Sequence, residues 1–287
     1  MLFVPGDRPD RFPKAVGSGA DAVILDLEDA VTPDRRGYAR QAIAEYLRSP
    51  RQGVPVWVRI NPVDSADVLA DLAAVAPARP EGVILPKARH GGDVSRLDHW
   101  LEILECEHGL GLGTIRVMPM ITETAGALLS LASFAPSPQR VVAMTWGAED
   151  LATELGALGN RTSTGEYEPA FELARSLCLI TAAAAGVLAI DTVDTEIRDI
   201  AAVEQRARSS RRAGYLGKLA IHPAQISAIH AAFTPTAAEL DWARRVLEAV
   251  AAAPAAGAVK VDGKLIDRPH VLQAERLLAS VAQAGRA

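Results

Sequence analysis

Eight short apolar runs of β-forming residues constrain this chain more than any other feature of it. They are Leu2–Pro5, Ala22–Leu27, Val56–Ile60, Gly82–Pro86, Arg116–Ile121, Val141–Trp146, Ala189–Val193 and Lys218–Ile221. Helix-like stretches lie between most of them, such as Arg35–Leu47, Val68–Val75 and Asp93–Glu107. Strands alternating with helices imply a parallel sheet. Eight such units in about 230 residues fit a closed (β/α)8 barrel better than an open doubly wound sheet. No Gly-x-Gly-x-x-Gly follows any run, so a dinucleotide fold has little support. The G-L-G-L-G stretch at Gly109–Gly113 precedes a strand and reads as a turn.

The ends of these runs carry the chemistry. The second drives from V-I-L into Asp26, Glu28 and Asp29. A buried strand does not carry unpaired carboxylates without a cost of several kcal/mol. In a parallel barrel, however, the C-terminal strand ends form the active-site rim. Asp26 and Glu28 are two apart and point the same way if the strand continues. The third run, V-W-V-R-I-N, places Arg59 and Asn61 on the face opposite Val58 and Ile60. An arginine there needs a counter-charge, and Glu28 from the neighbouring strand is the candidate. Its guanidinium also suits a substrate carboxylate or a developing enolate oxygen.

The fourth run ends at Lys87, the fifth reaches Glu123 and the sixth reaches Glu149 and Asp150. Glu123 and Asp150, from adjacent strand ends, are hard oxygen ligands of the kind Mg2+ takes, with water and substrate oxygens completing the shell. No His/Cys cluster argues for zinc. Arg8, Arg11 and Lys14 follow the Pro-Gly turn after the first run; they either hold phosphates or serve solubility. His222 precedes Pro223 and starts a loop, as a satisfied rim histidine or a substrate contact.

The pattern changes after Phe233. A threonine and proline introduce a helix near Ala237–Ala251, and P-A-A-G at Pro254–Gly257 breaks it. A short strand at Val259–Asp262, an Asp262-Gly263 turn and a last helix from Pro269 to Ala282 complete the tail. Residues 1–233 are therefore expected to form the barrel, and 234–287 a helical arm or a cap packed on its own barrel. Asp267, just ahead of the last helix, has the chemistry of an N-cap.

Composition excludes several functions. At a net charge of -5 the chain has no basic footprint for nucleic acid. No apolar run approaches the roughly 18–20 residues needed to span a bilayer. Cys106 and Cys178 stand far apart without metal-ligand neighbours, and the N-terminus lacks a basic segment followed by a long apolar one. A cytoplasmic protein without disulfides or membrane partner is the expectation.

The ordered motifs F-V-P-G-D-R-P-D-R-F-P-K-A, L-D-L-E-D-A-V, R-I-N, L-P-K, E-T-A, W-G-A-E-D-L, A-I-D-T-V, G-K-L-A-I-H-P-A-Q-I and I-D-R-P together resemble the citrate lyase beta-subunit-like CoA-ester lyases, with malyl-CoA lyase and citramalyl-CoA lyase as free-standing relatives. The resemblance covers essentially the whole chain. It implies a TIM barrel that uses Mg2+ and a CoA thioester to cleave or form a 3-hydroxy-carboxyacyl-CoA, with an acyl-CoA and a 2-oxo acid as the other side of the reaction. It implies Glu123 and Asp150 as metal ligands and Arg59 at the substrate carbonyl; Glu28, its expected counter-charge, is counted among the catalytic residues, and Glu123 also among the substrate contacts. Phe3, Arg8 and Lys14 correspond to the residues that hold CoA. Asp267 corresponds to the catalytic acid, carried by the arm of a neighbouring subunit in a homotrimer or hexamer. Two other readings are compatible with the motifs: a metal-dependent 2-oxo acid aldolase that needs no CoA, and a non-catalytic CoA-ester-binding protein.

Overall fold

The computed structural model describes residues 1–50, 53–254 and 256–284. They form two compact units, Met1–Phe233 and Thr234–Ala287.

In the first unit strands and helices alternate: β1 (Leu2–Pro5), α1 (Phe12–Val16), β2 (Val23–Asp26), α2 (Arg36–Arg48), β3 (Val56–Arg59), α3 (Val68–Val75), β4 (Gly82–Leu85), α4 (Gly91–Glu107), β5 (Arg116–Pro119), α5 (Ala125–Leu128), β6 (Ala143–Thr145), α6 (Ala148–Leu155), α7 (Pro169–Ala185), β7 (Leu188–Asp191), α8 (Ile200–Ala213), β8 (Gly217–Lys218) and α9 (Ile226–Phe233). The ladders run parallel in the orders β1-β2-β3-β4-β5 and β6-β7-β8. Parallel bridges Val117–Val141 and Met120–Thr145 join β5 to β6, and Leu2–Ala220 joins the end of β8 to β1. Main-chain bonds from Phe3 N to Ala220 O and from Ala220 N to Met1 O, both 2.8 Å, hold that last seam. The circuit is the expected (β/α)8 barrel.

β2, β4 and β6 are buried along their whole length, and the other strands largely so, as expected when both faces are covered. Ile24, Trp57, Ile84, Met118 and Leu219 pack together inside the barrel. Their alternates Leu25, Val58, Val83 and Val117 pack outward against the helices. Polar side chains at strand ends therefore emerge where the two layers stop, which is the rim.

The second unit comprises α10 (Ala237–Ala252), an antiparallel hairpin of β9 (Val259–Val261) and β10 (Lys264–Ile266), and α11 (Arg268–Ala284). Thr236 Oγ1 accepts from Glu239 N, and Glu239 Oε2 accepts from Thr236 N, a reciprocal cap that starts α10. Asp262 and Gly263 have φ of +49° and +78°, the left-handed pair that a two-residue hairpin requires. β10 was not among the expected strands: K-L-I is too short to show alternation, and the turn is what pairs it with β9. Of the Pro254–Gly257 breaker, Ala255 lies outside the described residues. Among the described residues no helix is long and apolar enough to cross a membrane.

Candidate active site

A cavity of about 300 Å3 opens at the C-terminal ends of the strands, lined by Phe3, Arg59, Met120, Glu123, Asp150 and Val193 among others. Arg59 is the cationic side chain that lines it. β2 and β3 pair so that Asp26 and Arg59 are register partners. Asp26 Oδ1 accepts from Arg59 Nε at 2.7 Å and Oδ2 from Nη2 at 2.6 Å. The strand ends at Asp26, whose carboxylate also accepts from Glu28 N and Ala30 N, both at 3.0 Å. This turn brings Glu28 Oε2 within 3.0 Å of Arg59 Nη1, a charge contact off the hydrogen-bonding direction. The expected Arg59–Glu28 pair is thus present but secondary; Asp26 takes the guanidinium fork because register places it directly opposite. The N–H groups left over at Nη1 and Nη2 are what the arginine has for a ligand. Phe3 lies under the guanidinium, 4.9 Å from ring centroid to Cζ.

Asn61 does not share the rim with Arg59. β3 stops at Arg59, and Asn61 turns to the helix layer, donating to Asp71 on α3 at 2.8 Å and to Leu27 O at 3.0 Å.

Lys87 ties the acids together. Its φ is +50°, which turns the amide toward Glu123 Oε2 at 2.5 Å. Its ammonium contacts Glu28, both oxygens of Asp29 at 3.0 and 3.1 Å, and Asp150 Oδ1 at 3.2 Å. One residue thereby touches carboxylates from three strand ends. The sequence marked Lys87 only as a rim lysine, because a backbone N–H leaves no trace in residue type.

Glu123 is fully sealed. Burial drives its carboxyl well above the usual range, and the nearby Asp150 charge pushes the same way. Its Oε1 has no hydrogen-bond partner. Space for the side chain comes from Gly147, just ahead of α6: a Cβ there would sit 2.6 Å from Glu123 Cγ. Glu28 rises to about 7, first through burial, with Arg59 and Lys87 pulling against it. Thr122 and Thr145 add buried hydroxyls without partners at the ends of β5 and β6.

An unsatisfied carboxylate oxygen beside a second carboxylate is a donor set that fits a hard divalent cation. Among the described residues no group of three or more His, Cys, Asp or Glu converges as a metal site. Glu123 and Asp150 would therefore supply two ligands, and water or substrate oxygens the rest.

The other expected site residues lie elsewhere. Arg8 is exposed and paired with Asp10 at 3.1 Å, and Lys14 is exposed on α1; neither lines the cavity. His222 caps the turn after β8, its Nδ1 accepting from Ala224 N at 3.2 Å, which makes it a satisfied rim histidine. In the second unit Asp267 precedes α11, and its Oδ1 meets His270 Nδ1 at 2.6 Å. Its main-chain oxygen accepts from His270 N and Val271 N at 3.1 and 3.2 Å.

Residues 1–223 match the sequence profile described as HpcH/HpaI aldolase/citrate lyase. The chain is 35% identical to a citrate lyase subunit beta-like protein of Mycobacterium tuberculosis over 283 residues, which span 99% of this chain and 95% of the relative. It is 32% identical to a (3S)-malyl-CoA thioesterase of Cereibacter sphaeroides over 287 residues, covering 97% of this chain and 93% of that one. The crystal structure of Mycobacterium tuberculosis CitE in complex with magnesium, acetoacetate and coenzyme A superposes with a TM-score of 0.82 at 35% identity, covering 97% of this chain and 96% of that chain.

Proposed function

The chain belongs to the HpcH/HpaI aldolase/citrate lyase family, and we propose that it is a Mg2+-dependent carbon–carbon lyase acting on a 3-hydroxy-carboxyacyl-CoA such as citryl-, malyl- or citramalyl-CoA. The products of cleavage are an acyl-CoA and a 2-oxo acid; condensation is the reverse. The observation that carries this reading is Glu123: a sealed carboxylate with one unpartnered oxygen, in a cavity shared with Asp150 and Arg59. The crystallised CitE relative holds magnesium and coenzyme A together, which supports it.

A cation held by Glu123 and Asp150 would supply Lewis-acid polarisation of substrate oxygens. The chain's own residues do the rest. In cleavage the 3-hydroxyl gives its proton to solvent, its oxygen becomes the ketone of the 2-oxo acid, and the carbon–carbon bond electrons pass to the thioester as an enolate. Arg59 donates its remaining N–H groups to that enolate oxygen, an interaction worth about 3–4 kcal/mol when realised in the transition state. Asp26 and Glu28 hold the guanidinium in orientation. Asp267 then protonates the enolate carbon, and in condensation it removes that proton. We assign Asp267 to a neighbouring copy in a trimer or hexamer. Phe3 contacts the thioester end, and Arg8 and Lys14 bind the phosphates of CoA.

Two relatives' names favour a second outcome of the same chemistry, since (3S)-malyl-CoA thioesterases match along nearly the whole chain. Hydrolysis of the thioester would then release free CoA. Mass-spectrometric screening of CoA thioesters against the purified protein with Mg2+ tests both. Acyl-CoA plus a 2-oxo acid identifies the lyase, and free CoA identifies the thioesterase. Cleavage of free 2-oxo acid aldols without CoA, or no turnover of any thioester, would overturn the proposal.

A further inference from the structure

We infer that a second cavity, outside the barrel between α7 and α8, is a binding site for a small oxyanion, either phosphate or a short carboxylate. It holds about 160 Å3 and shares no lining residue with the rim cavity. Arg161, Arg175, Arg206 and Lys218 all face it.

The local acids pair closely with only two of these cations. Lys218 Nζ donates to Asp191 Oδ2 at 3.0 Å. Ser210 at 2.5 Å and Trp146 Nε1 at 2.7 Å complete the shell of Asp191. Arg206 is paired at both ends with Asp194, at 2.6 and 3.0 Å.

Arg175 and Arg161 have no such match. Arg175 is 7% exposed, yet its contacts are long: 3.4 Å to Glu172, 3.3 Å to Ser210 and 3.7 Å to Asp191. Its buried Nε has no hydrogen-bond partner at all. Arg161 stacks on Tyr167 at 3.8 Å, gives Nη1 to Gly165 O at 2.9 Å, and keeps Nη2 4.0 Å from Asp194. Glu172 is half-exposed and Glu166 exposed, so their charges are screened and do little for a sealed guanidinium.

A buried guanidinium held only by long contacts, with its Nε unbonded, is costly, and water satisfies its donors without offsetting its charge. A small oxyanion does both, because its oxygens accept from two guanidinium forks at once. The cavity is large enough for such a group and a few waters. Its floor, Asp191, also holds Trp146, which leads through Gly147 into the strand end that carries Asp150.

Titration calorimetry of the Mg2+-loaded full-length protein with inorganic phosphate, and separately with malonate, tests this. One saturable site per chain is expected for at least one anion, and the tighter of the two names the source. Arg161→Ala should weaken it about tenfold, the worth of one charged hydrogen bond. Arg175→Gln should abolish it. The latter alters a buried cluster, so the partly exposed Arg161 provides the fold-safe variant, with circular dichroism matching wild type. Glu123→Ala, which removes the rim's proposed metal ligand, should keep the site. Absence of saturable binding for both anions overturns the inference, as does binding whose affinity is unchanged in Arg161→Ala or that vanishes with Glu123→Ala.

Discussion

Asp26 and Arg59 face each other across β2 and β3, and register alone lays the carboxylate onto Nε and Nη2 of the guanidinium at 2.7 and 2.6 Å. The geometry is a two-point fork that an ammonium cannot reproduce. Arg59→Lys should therefore lower turnover by about 10²-fold or more while changing apparent substrate affinity far less. Steady-state kinetics that separate kcat from KM check this; a change confined to KM would reduce Arg59 to a binding residue. Asp26→Asn should cost about 3 kcal/mol of stability, because it leaves a buried arginine half-paired. Urea unfolding of the two proteins measures that.

Glu123→Ala and Asp150→Ala should each abolish Mg2+ affinity and leave the barrel folded. The metal-free Glu123→Ala protein should be no less stable than wild type, since the lost carboxylate was buried without a full set of partners. Metal titration and thermal midpoints with and without Mg2+ decide it. Wild-type affinity in either variant would remove that residue from the site.

Gly147→Ala is the most economical way to disturb the same carboxylate. The added methyl would lie 2.6 Å from Glu123 Cγ, so the side chain has to swing away from Lys87 N. Metal affinity should fall about tenfold or more, a displacement effect of over 1 kcal/mol, with circular dichroism unchanged.

Glu28 makes stability depend on pH in a stated direction. Its carboxyl is raised to about 7 in the folded protein, from 4.5. Between those values the folded state binds more protons than the unfolded one, so this group's contribution falls as pH rises through the window and levels off above it. Glu28→Gln should flatten that fall. Urea midpoints of the chelator-treated proteins at the two ends of the window give the comparison. Parallel curves for the two proteins would show that Glu28 titrates normally.

The role assigned to Asp267 has a complementation test. Asp267→Asn should lose proton transfer while retaining Mg2+ and CoA ester. Mixing it with Glu123→Ala should restore part of the turnover, because some sites then combine an intact metal pair with an intact acid from another copy. Native mass spectrometry confirms the mixed oligomers. No recovery in confirmed mixtures would mean that the acid acts within its own chain or not at all.

The barrel was legible in the sequence because burial on both faces writes each strand as an apolar run. β1 and α3 fall on the expected residues, Leu2–Pro5 and Val68–Val75. Strand ends were less legible. The run Lys218–Ile221 became β8 at Gly217–Lys218, because past Lys218 the pairing reduces to one bond from Leu219 N to Asp191 O and one bridge from Ala220 to β1. Hydrophobicity records burial, whereas a ladder ends where the adjacent strand's register ends. The same gap explains the rim. Arg59, Glu123 and Asp150 were visible as charges at strand ends. The dominance of Asp26 over Glu28 depends on cross-strand pairing, and the amide of Lys87 and the methyl-sized space at Gly147 are backbone properties that no side-chain pattern encodes.

Glu28, Asp29, Glu123 and Asp150 crowd around Lys87, and burial together with like charge keeps Glu123 from ionising readily in the metal-free rim. A divalent ion there would favour the ionised carboxylates, and only in the folded state, so mass action would link folding to ion supply. If Glu123 and Asp150 hold Mg2+ as proposed, the protein's survival against heat and proteases should track the free magnesium around it, persisting where the ion is plentiful and fading where it is scarce.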